Sequence, residues 1–200
     1  MKKLLYIFLS VSIIFSACEE DTPLPAPNNN TNNNNSALAI GDTHQGGIIF
    51  YLDANGGGLI AAPSDQSTGA EWGCYGTNIT GADGTAIGTG AQNTIDIVNA
   101  NCSPYTIGLQ IAANICANLT LGGYSDWFLP SKDELNEMYL NIGQGNALGL
   151  GNVGGFANNF YWSATEVDNG DAWGQSFYDG SQYNFNKGSN YGGVRAVRAF

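Results

Sequence analysis

"GYSDWFLPSKDELNEMY", residues Gly123 to Tyr139, carries the strongest structural signal in this chain. Ser131 followed three positions on by Glu134 is a capping box, in which each residue can satisfy a free backbone N–H at the start of a helix. Leu135, Met138, Tyr139 and Ile142 then recur at i, i+3, i+4 and i+7, the spacing of one helical face, and Gly143 ends the run. The predicted helix is amphipathic and must lie on something apolar.

Two further helices are expected upstream. Asn93 reads as an N-cap before "TIDIVNA", with Asp96 three residues on. "GLQIAANICANL" spaces Ile111, Ile115 and Leu119 by four and ends at Gly122-Gly123. Strand signals flank these helices. "GGIIFYLD" and "GGGLIAAP" straddle an Asp53-Ala54-Asn55-Gly56 turn and read as a hairpin. After a glycine-rich stretch from Gly143 to Gly155, "NFYWSATEV", "DAWGQSFYDG", "SQYNFNKG" and "GGVRAVRAF" read as an antiparallel meander closing on a buried C-terminal strand. One parity is expected to run through Phe177, Asp179, Ser181, Tyr183, Phe185 and Lys187. Strands at both ends and helices between them predict an α+β fold. "GLGNVG" (149–154) fits G-x-G-x-x-G, but it follows a helix and precedes more glycine, so it is no dinucleotide loop.

The N-terminus reads as an address. Met1-Lys2-Lys3 leads an apolar run, Leu4 to Phe15, of about a dozen residues, too short for a bilayer span of roughly 20. Ser16, Ala17 and Cys18 follow, and a lone cysteine at that point is what an acylated bacterial lipoprotein requires; Phe15 replaces the more usual leucine. Residues 1–17 are thus expected to be a signal peptide and Cys18 the lipidated first residue of the mature chain. Glu19, Glu20 and Asp21 serve equally well as a surface-export signal or as plain solvated charges. "TPLPAPNNNTNNNNS" has nothing to bury and reads as a disordered tether up to Ser36, about 18 residues that reach roughly 60 Å when extended. The remaining 37–200 suffice for one domain. The expected location is the cell envelope, as an outer-membrane lipoprotein facing outward.

With 17 acidic and 6 basic residues the chain carries a net charge of −11, and loss of Lys2 and Lys3 takes it near −13. Nucleic acid, anionic membranes and sulfated polysaccharides are poor partners for such a surface. Beyond Cys18, three cysteines remain: Cys74, Cys102 and Cys116. A Cys102–Cys116 disulfide, closing a loop of about 15 residues, is expected to contribute roughly 3 kcal/mol and to leave Cys74 free. Zinc is not expected without a C-x-x-C and with His44 the only histidine.

Together with "YWSATE" (Tyr161 to Glu166), "AW" (Ala172-Trp173) and the terminal "VRAVRAF", the opening stretch resembles the Lcl C-terminal domain family, named for a bacterial collagen-like adhesin. The resemblance covers roughly Gly41 to Phe200. It implies a secreted or surface domain of C-type-lectin-like fold, an antiparallel sheet with two or three helices and long glycine-rich loops, binding glycans or other ligands. "W-x-L-P-S-x-x-E-L" is also similar to an element of the formylglycine-generating enzymes, but no cysteine follows Cys116 here, so their activity does not carry over. The family's best-known member binds glycosaminoglycans through basic residues. This domain keeps only Lys132, Lys187, Arg195 and Arg198, so that ligand does not carry over either. The "EPN" and "WND" calcium motifs are absent, and no cofactor is assigned.

Catalysis finds little support. His44 has no G-x-S-x-G partner. Glu166 with Asp168 or Asp171 offers the two carboxylates of a glycoside hydrolase, or a weak cation site, but in an acidic chain such groups are ordinarily solvated. A non-catalytic binding module fits better. Rings accept the C–H faces of sugars, and amides and carboxylates accept hydroxyls. The candidate ligand-binding residues are Trp173, Tyr178, Tyr183, Glu166, Asp168 and Asp171, with Trp127, Trp162 and Phe160 assigned to the core and Trp72 and Tyr75 left as core or surface. A structural or assembly role in the envelope is the rival. Exposure of Trp173 and Tyr183 discriminates between the two.

Overall fold

The capping box forms as expected. Ser131 N–H donates to Glu134 Oε2 at 2.7 Å, Glu134 N–H donates to Ser131 Oγ at 3.3 Å, and helix α3 follows over Lys132–Ile142. A computed structural model describes residues 37–200. The signal peptide, Cys18 and the tether lie outside the described residues.

Nine strands and three helices are present among the described residues. β1 (Thr43–His44), β2 (Gly47–Leu52), β3 (Gly58–Ala61) and β9 (Val197–Ala199) form an antiparallel sheet in the order β1-β2-β3-β9. The predicted hairpin is β2–β3, and the C-terminal strand pairs with it. The second sheet has the order β4-β8-β5-β6-β7, from β4 (Ser67–Ala70), β8 (Gly192–Val194), β5 (Phe160–Glu166), β6 (Asp171–Ser176) and β7 (Gln182–Asn186). The α+β class is as expected. The single antiparallel sheet is not: there are two sheets, and β5 pairs with β8 in parallel through Tyr161 and Gly193. "GGVRAVRAF" therefore splits, its first half joining one sheet and its second half the other. Arg195 sits between them with its guanidinium buried, bonded to Asp65 and to the carbonyls of Ala62 and Gly154.

The helices depart from their expected bounds for tertiary reasons. α1 spans Gly90–Asn99 and is preceded by Thr89, so Asn93 lies inside it and donates instead to Gly84 O at 2.7 Å. The start is set by Glu134, which accepts Gly88 N–H at 2.7 Å; a Cβ on Gly90 would come within 2.3 Å of the same carboxylate. Burial pushes the Glu134 carboxyl above its usual range, against the pull of its backbone donors. α2 is only Ala112–Ala117, because Ile111 is held in an extended bridge to Glu71.

Leu135, Met138 and Ile142 of α3 pack on Phe50, Tyr161, Phe177 and Val197. A second cluster gathers Trp72, Trp127, Trp162, Ile97 and Ile111. Trp72, Trp127 and Trp162 are thus core, as is Cys116.

Candidate functional site

Register decides what the aromatic tail can present. Residues directly opposite on paired strands share a face of the sheet. Trp162 pairs with Gly174 and Gly174 with Tyr183, Phe160 with Ser176, and Ala172 with Phe185. Phe160, Trp162, Tyr183 and Phe185 therefore stand on one face. Their ring centroids confirm it: Phe160 lies 4.9 Å from Phe185 and 6.4 Å from Tyr183, and Trp162 lies 6.0 Å from Phe185. Glycines make this close packing possible. A Cβ on Gly192 would sit 2.3 Å from Trp162 Nε1, and one on Gly174 would meet the Phe185 ring at 3.1 Å.

The indole of Trp162 forms the buried floor, its Nε1 donating to Ala70 O at 2.8 Å. Above it a cavity of about 140 Å³ opens between Phe160, Phe185, Ser189 and Tyr191. Phe160 and Phe185 also border an open groove of about 540 Å³ that continues to Asn158, Asn159, Tyr178 and Asp179. In the other direction Ser189 leads to a hollow of about 250 Å³ walled by Tyr75 and Tyr105. The exposed rings are Phe160 (37%), Tyr183 (46%), Tyr178 (75%) and Tyr191 (76%). β7 is an edge strand, so nothing on this sheet covers its outer side.

The Tyr105 end is held from below. Buried Glu71 accepts the N–H groups of Tyr105 and Thr106 at 2.5 and 2.8 Å, and a disulfide joins Cys74 to Cys102. This corrects the expected Cys102–Cys116 bridge. Cys116 points into the core from α2, with its thiol pushed far up by burial, while Cys74 and Cys102 meet with Cα atoms 5.0 Å apart.

The expected ligand-binding residues separate. Tyr178 and Tyr183 lie in the groove. Trp173 pairs with Asn184, so it stands on the opposite face, half-buried beneath the Lys132 ammonium, 3.7 Å from the ring centroid. Glu166 is in the interior, where it accepts Ile79 N–H at 2.9 and 3.0 Å and pairs with Lys187. Its carboxylate is committed and leaves the candidate set. Asp168 is exposed and caps the β5–β6 turn, accepting the N–H groups of Gly170 and Asp171, which holds its carboxyl below the usual range. Asp171 faces Asn184 at 3.5 Å. These three carboxylates do not converge, and no cluster of three metal-ligating side chains occurs among the described residues. Phe160, assigned to the core, instead lines the groove. The expected parity fails because Phe177 is buried in the turn between β6 and β7. Asp179 in that turn accepts Ser181 N–H, which lowers its carboxyl below the usual range. His44 lies on β1 with its ring 4.6 Å from Phe200.

All four basic side chains of the domain rest on rings: Lys132 on Trp173, Lys187 on Trp72, Arg195 on Phe156 and Arg198 on Tyr124. Three are buried and paired with Glu166, Asp65 and Asp126.

Fold and groove define an α+β domain with an aromatic trough along an edge strand. The chain belongs to the Lcl C-terminal domain family, whose model matches residues 62–198. A search of curated proteins returned no match.

Proposed function

We propose that this protein is a surface-tethered lipoprotein, anchored through Cys18 in the outer membrane, whose domain binds neutral glycans non-catalytically in the β7 groove. The observation that carries the reading is the pair Phe160 and Tyr183, exposed on one face, with exposed Tyr191 lining the adjoining cavity and Asn158, Asn159, Asp179 and Ser189 at the borders. A C-type-lectin-like kinship and the adhesin after which the family is named are in keeping with it. Five residues of β7 give a trough of about 16 Å, longer than a single sugar needs. Sulfated chains are disfavoured, since the domain's guanidinium groups and Lys187 are internally paired and the net charge is strongly negative.

Glycan-array binding, followed by calorimetry, tests this. Loss of one stacking ring costs about 1–3 kcal/mol by analogy with base stacking, so Tyr183→Ala is expected to weaken binding at least about fivefold. Trp173→Ala, on the other face, leaves affinity unchanged. Heparin binding at physiological salt, or binding that ignores Tyr183→Ala and Phe160→Ala, refutes the assignment.

A further inference from the structure

The glycine-rich "ALGLGNVGG" loop (147–155) exposes three aliphatic side chains, Leu148 (53%), Leu150 (40%) and Val153 (43%). The turn at the start of the domain lies against it. A Cβ on Gly41 would come 3.1 Å from Leu150 Cδ1 and 3.9 Å from Val153 Cγ2, and Leu38, three residues earlier, is itself 38% exposed. A chain this acidic places no charged residue between Glu137 and Glu166. Asp42, next to Gly41, is occupied in accepting Ala39 N–H at 3.0 Å.

The loop is built rather than slack. Asn146 accepts the N–H groups of Gly149 and Gly151, Asn152 accepts those of Gly155 and Phe156, and Gly154 N–H donates to Ile142 O at 2.7 Å. Arg195 binds Gly154 O from below. The leucine tips are thus held outward by a pinned loop, while the backbone N–H groups of Leu148, Leu150 and Val153, which bond to no protein acceptor, suit the hydrated headgroup level rather than the hydrocarbon interior.

We propose that this patch rests on the lipid surface that carries the anchor, seating the domain on the membrane and turning one fixed side outward. The occupant follows from covalent connection. The inference rests on the reading of Cys18 as lipidated, with about 18 residues between it and the patch-forming turn. About 18 residues cannot reach beyond roughly 60 Å, so the anchor confines the patch to that distance from the bilayer. Tethering supplies a high effective concentration, and a contact too weak to hold a free domain then suffices. An uncharged apolar tip suits zwitterionic lipid, which neither attracts nor repels it, whereas the acidic remainder of the surface does not.

The test uses the full lipidated chain in phosphatidylcholine vesicles, with Leu150→Trp as reporter and Ile107→Trp, at a fully exposed position on the Tyr105 loop, as control. Phosphatidylcholine with brominated chains is expected to quench the emission added by Leu150→Trp and to spare that added by Ile107→Trp. Adding Leu148→Asp and Val153→Asp is expected to abolish the quenching while the chain still floats with the vesicles. Equal quenching of both reporters, or none, in a floating chain overturns the patch alone. A concentration-dependent blue shift of the Leu150→Trp emission without vesicles overturns it in favour of a second copy. A chain that does not float overturns the anchor, and the patch proposal with it.

Discussion

Lys187→Met tests how the groove is held in place. Lys187 follows directly on β7, and its ammonium is fully buried, bonded to Thr77 O at 3.0 Å and paired with Glu166 over the Trp72 ring. Removing it leaves Glu166, itself almost fully buried, with only the Ile79 N–H. Breaking a buried pair by deleting one partner costs about 3–5 kcal/mol, because the surviving charge stays desolvated. The retained backbone bond argues for the lower end, about 3 kcal/mol. For a domain of this size that lowers Tm by about 6–12 °C. Guanidinium unfolding followed by tryptophan fluorescence measures it. Glu166→Gln in the same chain removes the orphaned charge and is expected to restore about 1–2 kcal/mol. A Lys187→Met loss below about 1 kcal/mol, or a double variant as unstable as the sum of the two singles, refutes the claim that the pair is a coupled, desolvated unit.

Three further outcomes are expected. Tyr161 donates to Asp65 and its phenol is pushed up to about 12 by burial and by that carboxylate, so the stability it contributes is present below about 10 and is lost as pH rises through about 12; a tyrosinate absorbance titration is expected to show a last step there that Tyr161→Phe removes. Mapping of non-reduced peptides is expected to link Cys74 to Cys102, with Cys116 alkylated only after unfolding; Cys102→Ser, opening a loop of sequence separation 28, is expected to cost about 3.5 kcal/mol in the chain-entropy model. Metabolic labelling with a fatty-acid analogue is expected to mark the protein and to fail on Cys18→Ser; continued labelling of that variant removes the anchor.

What could be read from sequence was local. The Ser131–Glu134 box, the β2–β3 hairpin and the heptad-like face of α3 each depend on residues within a few positions of one another. What could not be read depends on partners far along the chain. α1 begins three residues before Asn93 because Glu134, 46 positions away, takes Gly88 N–H. The disulfide bridges the longer interval because α2 turns Cys116 inward, which spacing alone does not reveal. The aromatic and amide content of the tail is visible in the sequence, but the expected strand parity breaks at Phe177. That break, with the register of β6 against β7, sends Trp173 and Tyr183 to opposite faces.

The charge balance is sharpened by the same folding. Composition alone shows few cations, and a few free cations would still suit a sulfated chain. The structure spends them inside: Arg195 and Arg198 close the chain's end onto Asp65 and Asp126, and Lys187 ties the end of β7 to Glu166. Lys132, half-buried over Trp173, belongs to the face away from the groove. Around the groove the ionised Asp179 is therefore not offset by any of these four cations. Discrimination against sulfated chains should weaken as salt shortens the Debye length from about 10 Å at 0.1 M to about 3 Å at 1 M, while stacking of a neutral glycan on Tyr183 and Phe160 should change little over the same range. Parallel titrations of a neutral and a sulfated oligosaccharide at the two salt concentrations separate these terms, and a neutral ligand whose affinity falls steeply with salt would show that charge, not the rings, does the binding.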